Sequence, residues 1–213
     1  MKTVLMAVGP QGSGNHLFAK VFALHPAVGG WKALLDQHWQ AHHLEPFASF
    51  WEDPSRLSPA AFRGHEYWVT SCSIPYVYQG AHRMPPVLEF YQACSRLQLR
   101  VIPCLIVRDQ NITLLQQRRV RGKVTLTKAM HHILGLMDRL DFTFLSYECL
   151  YMYRGAYLRF LSDRLCFPFD WGSPSLDRIL ELDANLKYVN QVRRQALDDV
   201  VAATYRDSKR LRG

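Results

Sequence analysis

The feature that most constrains this chain is a glycine-rich turn between an apolar run and an amphipathic segment near the N-terminus. Residues 2–8 (KTVLMAV) are mostly apolar and include β-branched side chains, which predicts a buried strand. The turn GPQGSGNH follows, and apolar residues then recur at helical spacing over 17–24. Because glycine lets successive amides and a helix N-terminus point at one anion, this order predicts a phosphate cradle.

The turn lacks two residues that a nucleoside-triphosphatase loop requires. Such a loop reads G-x-x-x-x-G-K-[ST], with the lysine on the β- and γ-phosphates and the hydroxyl on magnesium. Counting from Gly9 brings Gly14 into register, but Asn15 and His16 occupy the next two positions. We therefore predict a phosphate-bearing ligand whose chemistry needs no magnesium. The alternative is a glycine-rich turn that serves packing alone.

Length and charge limit the classes of partner. A chain of 213 residues is predicted to form a single domain, over 1–213. The formal net charge of +8, from 26 Lys and Arg against 18 Asp and Glu, favours anionic partners such as nucleotides or phosphorylated and sulfated sugars. The basic residues are scattered and no nucleic-acid-binding motif is present, so nucleic acid is not the expected partner.

The cysteines predict a reducing, cytoplasmic location. They are odd in number, far apart in the sequence and without a C-x-x-C pair, which argues against a disulfide framework and against a zinc site. The N-terminal apolar run is too short for a signal peptide, and no segment approaches the roughly 20 apolar residues of a membrane span. The five are Cys72, Cys94, Cys104, Cys149 and Cys166.

Strand and helix patterns alternate along the rest of the chain. This alternation predicts an α/β domain with a central parallel sheet flanked by helices. An irregular insertion at about 32–66, opening with a helical stretch at 32–43, is expected over the sheet edge, and a basic tail covers about 206–213. Further strands are predicted at 67–74, 100–107 and 141–147, a loop at 79–86, and helices at 87–97, 111–120, 125–140, 151–165 and 191–205.

A second anion site is predicted where the strand at 100–107 ends. Arg108 follows that strand, and ligands of open α/β sheets bind at the carboxyl ends of strands. The next helix ends in a basic run that includes Arg121 and Lys123. Guanidinium groups match the geometry of phosphate oxygens. The run is either part of a second phosphate clamp or a solvated helix face.

These segments together resemble the sulfotransferase family, particularly its small bacterial and phage members that act on carbohydrate or lipopolysaccharide. Residues 9–18 resemble the family's 5′-phosphosulfate loop, and 107–109 with the following helix resemble its 3′-phosphate site. Lesser matches are the strand end at 73–75, the Tyr-Glu-x-Leu segment at 144–150 with the end of the following helix at 165–168, and the C-terminal segment 183–188. The resemblance spans about 3–188 and implies the P-loop-NTPase-like sulfotransferase architecture.

The resemblance implies an enzyme that moves a sulfuryl group from 3′-phosphoadenosine 5′-phosphosulfate to a hydroxyl or amine. The acceptor would be an anionic, carbohydrate-like or small molecule, and no metal is expected. Aromatic residues of the insertion and of the segment after the second long strand are candidates for stacking on sugars. The implied co-substrate-binding residues are Gln11, Gly12, Ser13, Gly14, Asn15, His16, Arg108, Gln116, Arg121, Lys123 and Lys187.

Catalytic residues are less well defined, because the chain departs from the family pattern. Many members carry lysine at the position of Gly12, where it would balance charge on the leaving oxygen. The substitutes for that charge are His16, Lys20, Lys32 and Lys187. The candidates for the general base are His82, Glu45 and His42, while His16 is either a base or an oxygen-stabilising donor.

Two other functions remain open. One is a nucleotide-dependent kinase or phosphotransferase with an atypical loop, which magnesium dependence would reveal. The other is a non-catalytic anion- or nucleotide-binding protein on the same fold, which the glycine at position 12 favours.

Overall fold

The computed structural model describes residues 1–31, 42–78 and 80–210. The strands are β1 (Thr3–Pro10), β2 (Val28–Gly29), β3 (Tyr67–Ile74), β4 (Tyr76–Tyr78), β5 (Ala81–Arg83), β6 (Arg100–Val107) and β7 (Thr143–Ser146). The α-helices are α1 (Asn15–Phe22), α2 (Ala48–Glu52), α3 (Val87–Arg96), α4 (Gln110–Arg121), α5 (Leu126–Met137), α6 (Tyr147–Leu165), α7 (Pro174–Ile179) and α8 (Leu186–Arg210).

A five-stranded parallel sheet forms the centre of the fold. Its strand order is β2-β3-β1-β6-β7, and helices cover both faces. The predicted α/β architecture with a central parallel sheet is therefore confirmed. Within the part of the chain that the structure describes, no helix combines the length and the apolar character needed to cross a membrane.

The central strand β1 is buried along its whole length. Leu5 and Ala7 pack against α1 and α6 on one face, whereas Val4, Met6 and Val8 pack against α3 and α5 on the other. A parallel strand with helices on both faces reads as a continuous apolar run, which is why the first segment of the sequence predicted it correctly. The burial holds the start of the glycine-rich turn in a rigid frame.

The insertion packs on a sheet face beside α3. The sequence predicted it over the sheet edge. Its described part, 42–66, consists of α2 and short 3₁₀ turns. Trp51 stacks on Phe90 with ring centroids 4.0 Å apart, and its Nε1 donates to Thr70 Oγ1 at 3.0 Å. Trp51 and Tyr76 are thus core residues, which removes them as platforms for a sugar. Residues 32–41, with Lys32 and most of the predicted helix at 32–43, lie outside the described residues.

The predicted loop at 79–86 is wrong in part, because β4 and β5 pair there as an antiparallel hairpin. Gly80 has φ +80° and allows the tight turn.

The predicted start of the helix at 151 is too late. α6 begins at Tyr147, because the Ser146 side chain caps it by accepting from the Cys149 amide at 3.1 Å. Capping through one serine leaves little trace in the apolar periodicity. Likewise α8 begins at Leu186, ahead of the predicted 191.

All five cysteines are free, as the spacing predicted. Cys72, Cys94 and Cys104 are buried in the core. Burial raises the pKa of the Cys94 thiol to about 12, so this thiol stays protonated and chemically inert at neutral pH.

The turn after β2 depends on Gly30, which yields a first prediction. Gly30 has φ +109°, and a Cβ there would lie 2.3 Å from the Val69 carbonyl oxygen. We expect Gly30→Ala to lower the free energy of unfolding by about 3 kcal/mol, measured by urea denaturation. Gly135→Ala is the matched control: this glycine lies in α5 with nothing within 4 Å of its Cβ position. The control should gain up to about 1 kcal/mol, and an equal loss in both variants would contradict the prediction.

Candidate functional site

The glycine-rich turn forms a closed loop over the N-terminus of α1. Gly12 and Gly14 have φ values of +87° and +109°, and Gly14 is the N-cap residue of α1. The Asn15 side chain anchors the loop to β3. Its Nδ2 donates to the Gly9 and Pro10 carbonyls at 3.2 and 3.3 Å and to Ser73 Oγ at 3.1 Å. The first-turn amides of α1 have no partner within the helix and are available to an anion.

A buried polar network supports the loop from the side of α4. Gln117 Nε2 donates to the Gln11 carbonyl oxygen at 2.6 Å, and Gln117 Oε1 accepts from the Thr125 amide at 2.8 Å. Thr125 Oγ1 in turn lies 3.2 Å from Gln11 Oε1. Gln11 therefore positions the loop through its backbone and faces away from a ligand above it.

Arg108 lies beside the loop at the end of β6. Its Nε donates to Asn185 Oδ1 at 2.8 Å, and its Nη1 donates to the Gly12 carbonyl oxygen at 2.7 Å and to Gln116 Oε1. The guanidinium carbon lies 4.2 Å from the centre of the Tyr147 ring. The side chain is 9% exposed, and Nη2 is buried without a hydrogen-bond partner. Nε and Nη1 are thus held by the protein, whereas the N–H groups of Nη2 have no acceptor within it.

The segment 181–185 packs against Arg108 and Tyr147. Asp183 Oδ1 accepts from the Asn185 amide at 2.8 Å and from the Tyr147 hydroxyl at 3.3 Å. Asn185 Nδ2 donates to Glu148 Oε1 at 3.3 Å. Burial raises the pKa of the Tyr147 hydroxyl, which keeps it protonated as a donor.

A cavity of about 700 Å³ opens between these elements. The loop contributes Gly12 and Gly14, and Arg108 with Gln116 forms one side. Tyr147 and residues 181, 182 and 184 also line it. A volume of this order accommodates a nucleotide, and its polar groups meet where the loop and Arg108 converge.

His16, Glu45 and His42 form a compact cluster next to the loop. His16 Nε2 and His42 Nδ1 each lie 2.7 Å from Glu45 Oε1. Glu45 is buried, and burial raises the pKa of its carboxyl group. The close contacts and charges of the two imidazoles outweigh burial and hold the pKa of Glu45 below its ordinary value, so the group is a carboxylate at neutral pH. The ligand atoms of the three side chains lie within 4.8 Å of one another, close enough for a metal ion.

The structure brings together some of the predicted site residues. Three of the four catalytic candidates, His16, His42 and Glu45, meet in the cluster, whereas His82 lies exposed on β5. Burial, and after it the nearby cations Lys123 and Arg121, lower the pKa of His82. The predicted residues that line the cavity are Gly12, Gly14, His16, Arg108 and Gln116, and Lys20 lines it too.

Other predicted co-substrate residues do not line this cavity. Ser13 is buried with no partner for Oγ, and it lines a smaller, mainly apolar cavity of about 280 Å³ between β6 and α5. Arg121 and Lys123 lie exposed at and just beyond the far end of α4, and Lys187 is exposed on α8. Their roles stay predictions.

Sequence reasoning assigned no role to Tyr147 or Asn185, although both contact Arg108. The signal was partly present, because Tyr147 and Asn185 fall within the segments 144–150 and 183–188 that resemble the sulfotransferase family. What the sequence does not contain is the contact itself, since Asn185 is 77 residues from Arg108.

Comparisons with known proteins give few matches. The sequence matches no protein-family model and no curated protein. Among solved structures, the chain is similar to mouse sulfotransferase SULT7A1 in complex with PAP, with a TM-score of 0.46 and 14% sequence identity. The matched region covers 85% of this chain and 63% of that one, so the chain spans less than two thirds of that protein's length.

Proposed function

We propose that the chain is a sulfotransferase that uses 3′-phosphoadenosine 5′-phosphosulfate as donor and a carbohydrate-like or small hydroxyl or amine compound as acceptor. The observation that carries the proposal is Arg108. Arg108 lines the same cavity as the glycine-rich loop, and its buried Nη2 has no protein partner. Two anion-binding groups on one cavity suit a nucleotide with phosphate groups at two separate positions.

The residues at the end of the loop favour a donor that needs no magnesium. Asn15 stands where a phosphate-binding lysine would be, and its amide nitrogen is already bound to the loop carbonyls and to Ser73. His16 stands in place of the magnesium-binding hydroxyl. Lys20, one turn further along α1, lines the cavity and is the candidate to balance charge on the leaving oxygen in place of the lysine missing at Gly12.

The proposed reaction forms a bond between the acceptor oxygen or nitrogen and sulfur and breaks the bond between sulfur and the 5′-phosphate oxygen. The 5′-phosphate leaves with the bonding electrons, and the amides of the loop and of the α1 N-terminus stabilise its charge. In-line positioning of the acceptor supplies much of the rate. The acceptor's proton passes to a base.

His16 is our candidate for that base, with Glu45 as its positioning residue. His16 lines the cavity and carries its Nε2 at 2.7 Å from Glu45 Oε1. With the proton on Nε2 donated to Glu45, the lone pair on Nδ1 is available to the acceptor. His82, another candidate from the sequence, lies exposed on β5 and does not line the cavity.

Nucleotide binding is the direct test of the function. We would titrate 3′-phosphoadenosine 5′-phosphate, AMP and ATP into the protein by calorimetry, each with and without magnesium. Tight, magnesium-independent binding that requires the 3′-phosphate supports the proposal. Binding of magnesium-ATP alone would replace it with a phosphotransferase, and the absence of binding by all three would favour the non-catalytic alternative.

The catalytic assignment gives a prediction of its own. We expect His16→Ala to lower the rate of sulfuryl transfer from labelled donor by about 100-fold or more, with little change in nucleotide affinity, because the general base is lost and the loop is kept. Rates would be measured on the acceptor found by screening sugars and phenols. His43→Ala is the control, since His43 is exposed and lies next to the cluster. Unchanged turnover in His16→Ala would exclude His16 as the base.

A further inference from the structure

We propose that His16, His42 and Glu45 form a zinc-binding site that inhibits the enzyme when it is occupied. The binding step is independent of the proposed function, and only the inhibition rests on it. Zinc is bound in proteins by imidazole nitrogen and carboxylate oxygen, and sites with three protein ligands keep one coordination position open. The cluster supplies two nitrogens and one oxygen of these kinds.

The distances in the cluster are close to those that zinc requires. Both imidazole nitrogens lie 2.7 Å from the same carboxylate oxygen, and all ligand atoms lie within 4.8 Å of one another. Tetrahedral zinc with bonds of about 2.1 Å places ligand atoms about 3.4 Å apart. Small rotations of the side chains therefore suffice to replace the two contacts to Glu45 by three bonds to one ion.

The local structure holds the ligands in position. His42 and Glu45 are three residues apart at a 3₁₀ turn, where residues i and i+3 lie one above the other on the same side. The Glu45 amide donates to the His42 carbonyl at 3.2 Å, and the Ala48 amide donates to the Glu45 carbonyl at 3.0 Å. His16 belongs to the first turn of α1, which the loop fixes. Ordered ligands lower the entropy cost of binding an ion.

The polar atoms of the cluster are also poorly satisfied by the protein alone. His42 Nδ1 is buried and, although it lies close to Glu45, has no well-aligned hydrogen bond. Glu45 is 7% exposed and directs one oxygen at both imidazoles. A divalent cation would satisfy all three groups at once. Two imidazoles with one carboxylate favour zinc over magnesium and calcium, which prefer oxygen ligands.

Zinc and catalysis would exclude each other at this site. A zinc ion on His16 Nε2 leaves the ring proton on Nδ1, and that proton removes the lone pair that would accept the acceptor's proton. The donor nucleotide contacts the loop and Arg108 and needs no atom of Glu45 or His42. Zinc is therefore expected to stop transfer while 3′-phosphoadenosine 5′-phosphate still binds.

The test is a zinc titration of the tag-free protein against a chromophoric chelator, with Co²⁺ as a spectroscopic probe. We expect one zinc ion per chain, about 100-fold weaker binding in His42→Ala and in Glu45→Gln, and unchanged binding in His43→Ala. Bound Co²⁺ should show the intense visible bands of four-coordinate geometry. Circular dichroism confirms folding, and His42→Gln replaces His42→Ala where the latter lowers the melting temperature.

The outcomes separate this proposal from the proposed function. Equal zinc affinity in the wild type, His42→Ala and Glu45→Gln, or the weak spectrum of six-coordinate Co²⁺, overturns the zinc site. If zinc needs all three residues while 3′-phosphoadenosine 5′-phosphate fails to bind, the site stands and the proposed function falls. If that nucleotide binds and transfer proceeds equally with stoichiometric zinc bound, the inhibition is wrong.

Discussion

Arg108→Ala is expected to abolish measurable binding of 3′-phosphoadenosine 5′-phosphate. Arg108 is 9% exposed, and its Nη2 has no protein partner. A charge-assisted hydrogen bond contributes about 1.5–3 kcal/mol, so the loss of two bonds to one phosphate lowers the affinity by roughly 100- to 10,000-fold. Calorimetry against this nucleotide measures the effect, and AMP, which lacks the 3′-phosphate, should lose much less affinity, because only the contact of Arg108 to the Gly12 carbonyl bears on its site.

Two further variants separate charge from geometry. Arg108→Lys keeps the charge but cannot reach Asn185 Oδ1, the Gly12 carbonyl and a phosphate together, so we expect an affinity close to that of the alanine variant. Arg118→Ala removes an exposed cation from the same helix, α4, and should leave affinity unchanged. Equal losses in Arg118→Ala and Arg108→Ala would mean that the overall positive charge, and not Arg108, binds the nucleotide.

The parts of the site that sequence predicted are those whose residues are close together in the chain. The loop, its glycines and the start of α1 lie within 9–22, and the apolar run before them fixes their place in the sheet. The place of Arg108 at the end of a strand was predicted for a related reason, because it depends only on where a buried strand ends. In both cases the local pattern also determines the position in the parallel sheet.

The parts that sequence missed arise from contacts between distant segments. Glu45 and His42 come from the insertion and meet His16 of α1, a separation of 29 residues between Glu45 and His16. Nothing in periodicity predicts that meeting, so Glu45 and His42 were named only as separate candidates. Asn185 is a similar case, because its role is to fix Nε of Arg108 and leave Nη2 available. Ser13 is a different case: its residue type suits a phosphate, but its hydroxyl is buried without a partner and the residue lines the smaller cavity, so its role stays a prediction.

Gly14→Ala is expected to reduce nucleotide affinity nearly as much as the loss of Arg108. Gly14 has φ +109°, and a Cβ there would lie 2.9 Å from Cδ2 of Tyr147. The ring of Tyr147 lies 4.2 Å from the guanidinium of Arg108, so displacing the ring also moves the group that we propose to bind a phosphate. The same methyl group disturbs the N-terminus of α1, where the second phosphate would bind. We expect about a 100-fold loss of affinity by calorimetry and a cost of about 2 kcal/mol in urea denaturation.

Gly122→Ala distinguishes obstruction of the site from backbone strain. Gly122 also has positive φ, +63°, but ends α4 with nothing within 4 Å of its Cβ position. We expect that variant to lose about 1 kcal/mol of stability and no nucleotide affinity. Equal affinities in Gly14→Ala and the wild type would mean that the nucleotide does not use the α1 N-terminus. Because Arg108 and Gly14 both lie against Tyr147, loss of affinity in both variants would indicate that both phosphates bind close to its ring.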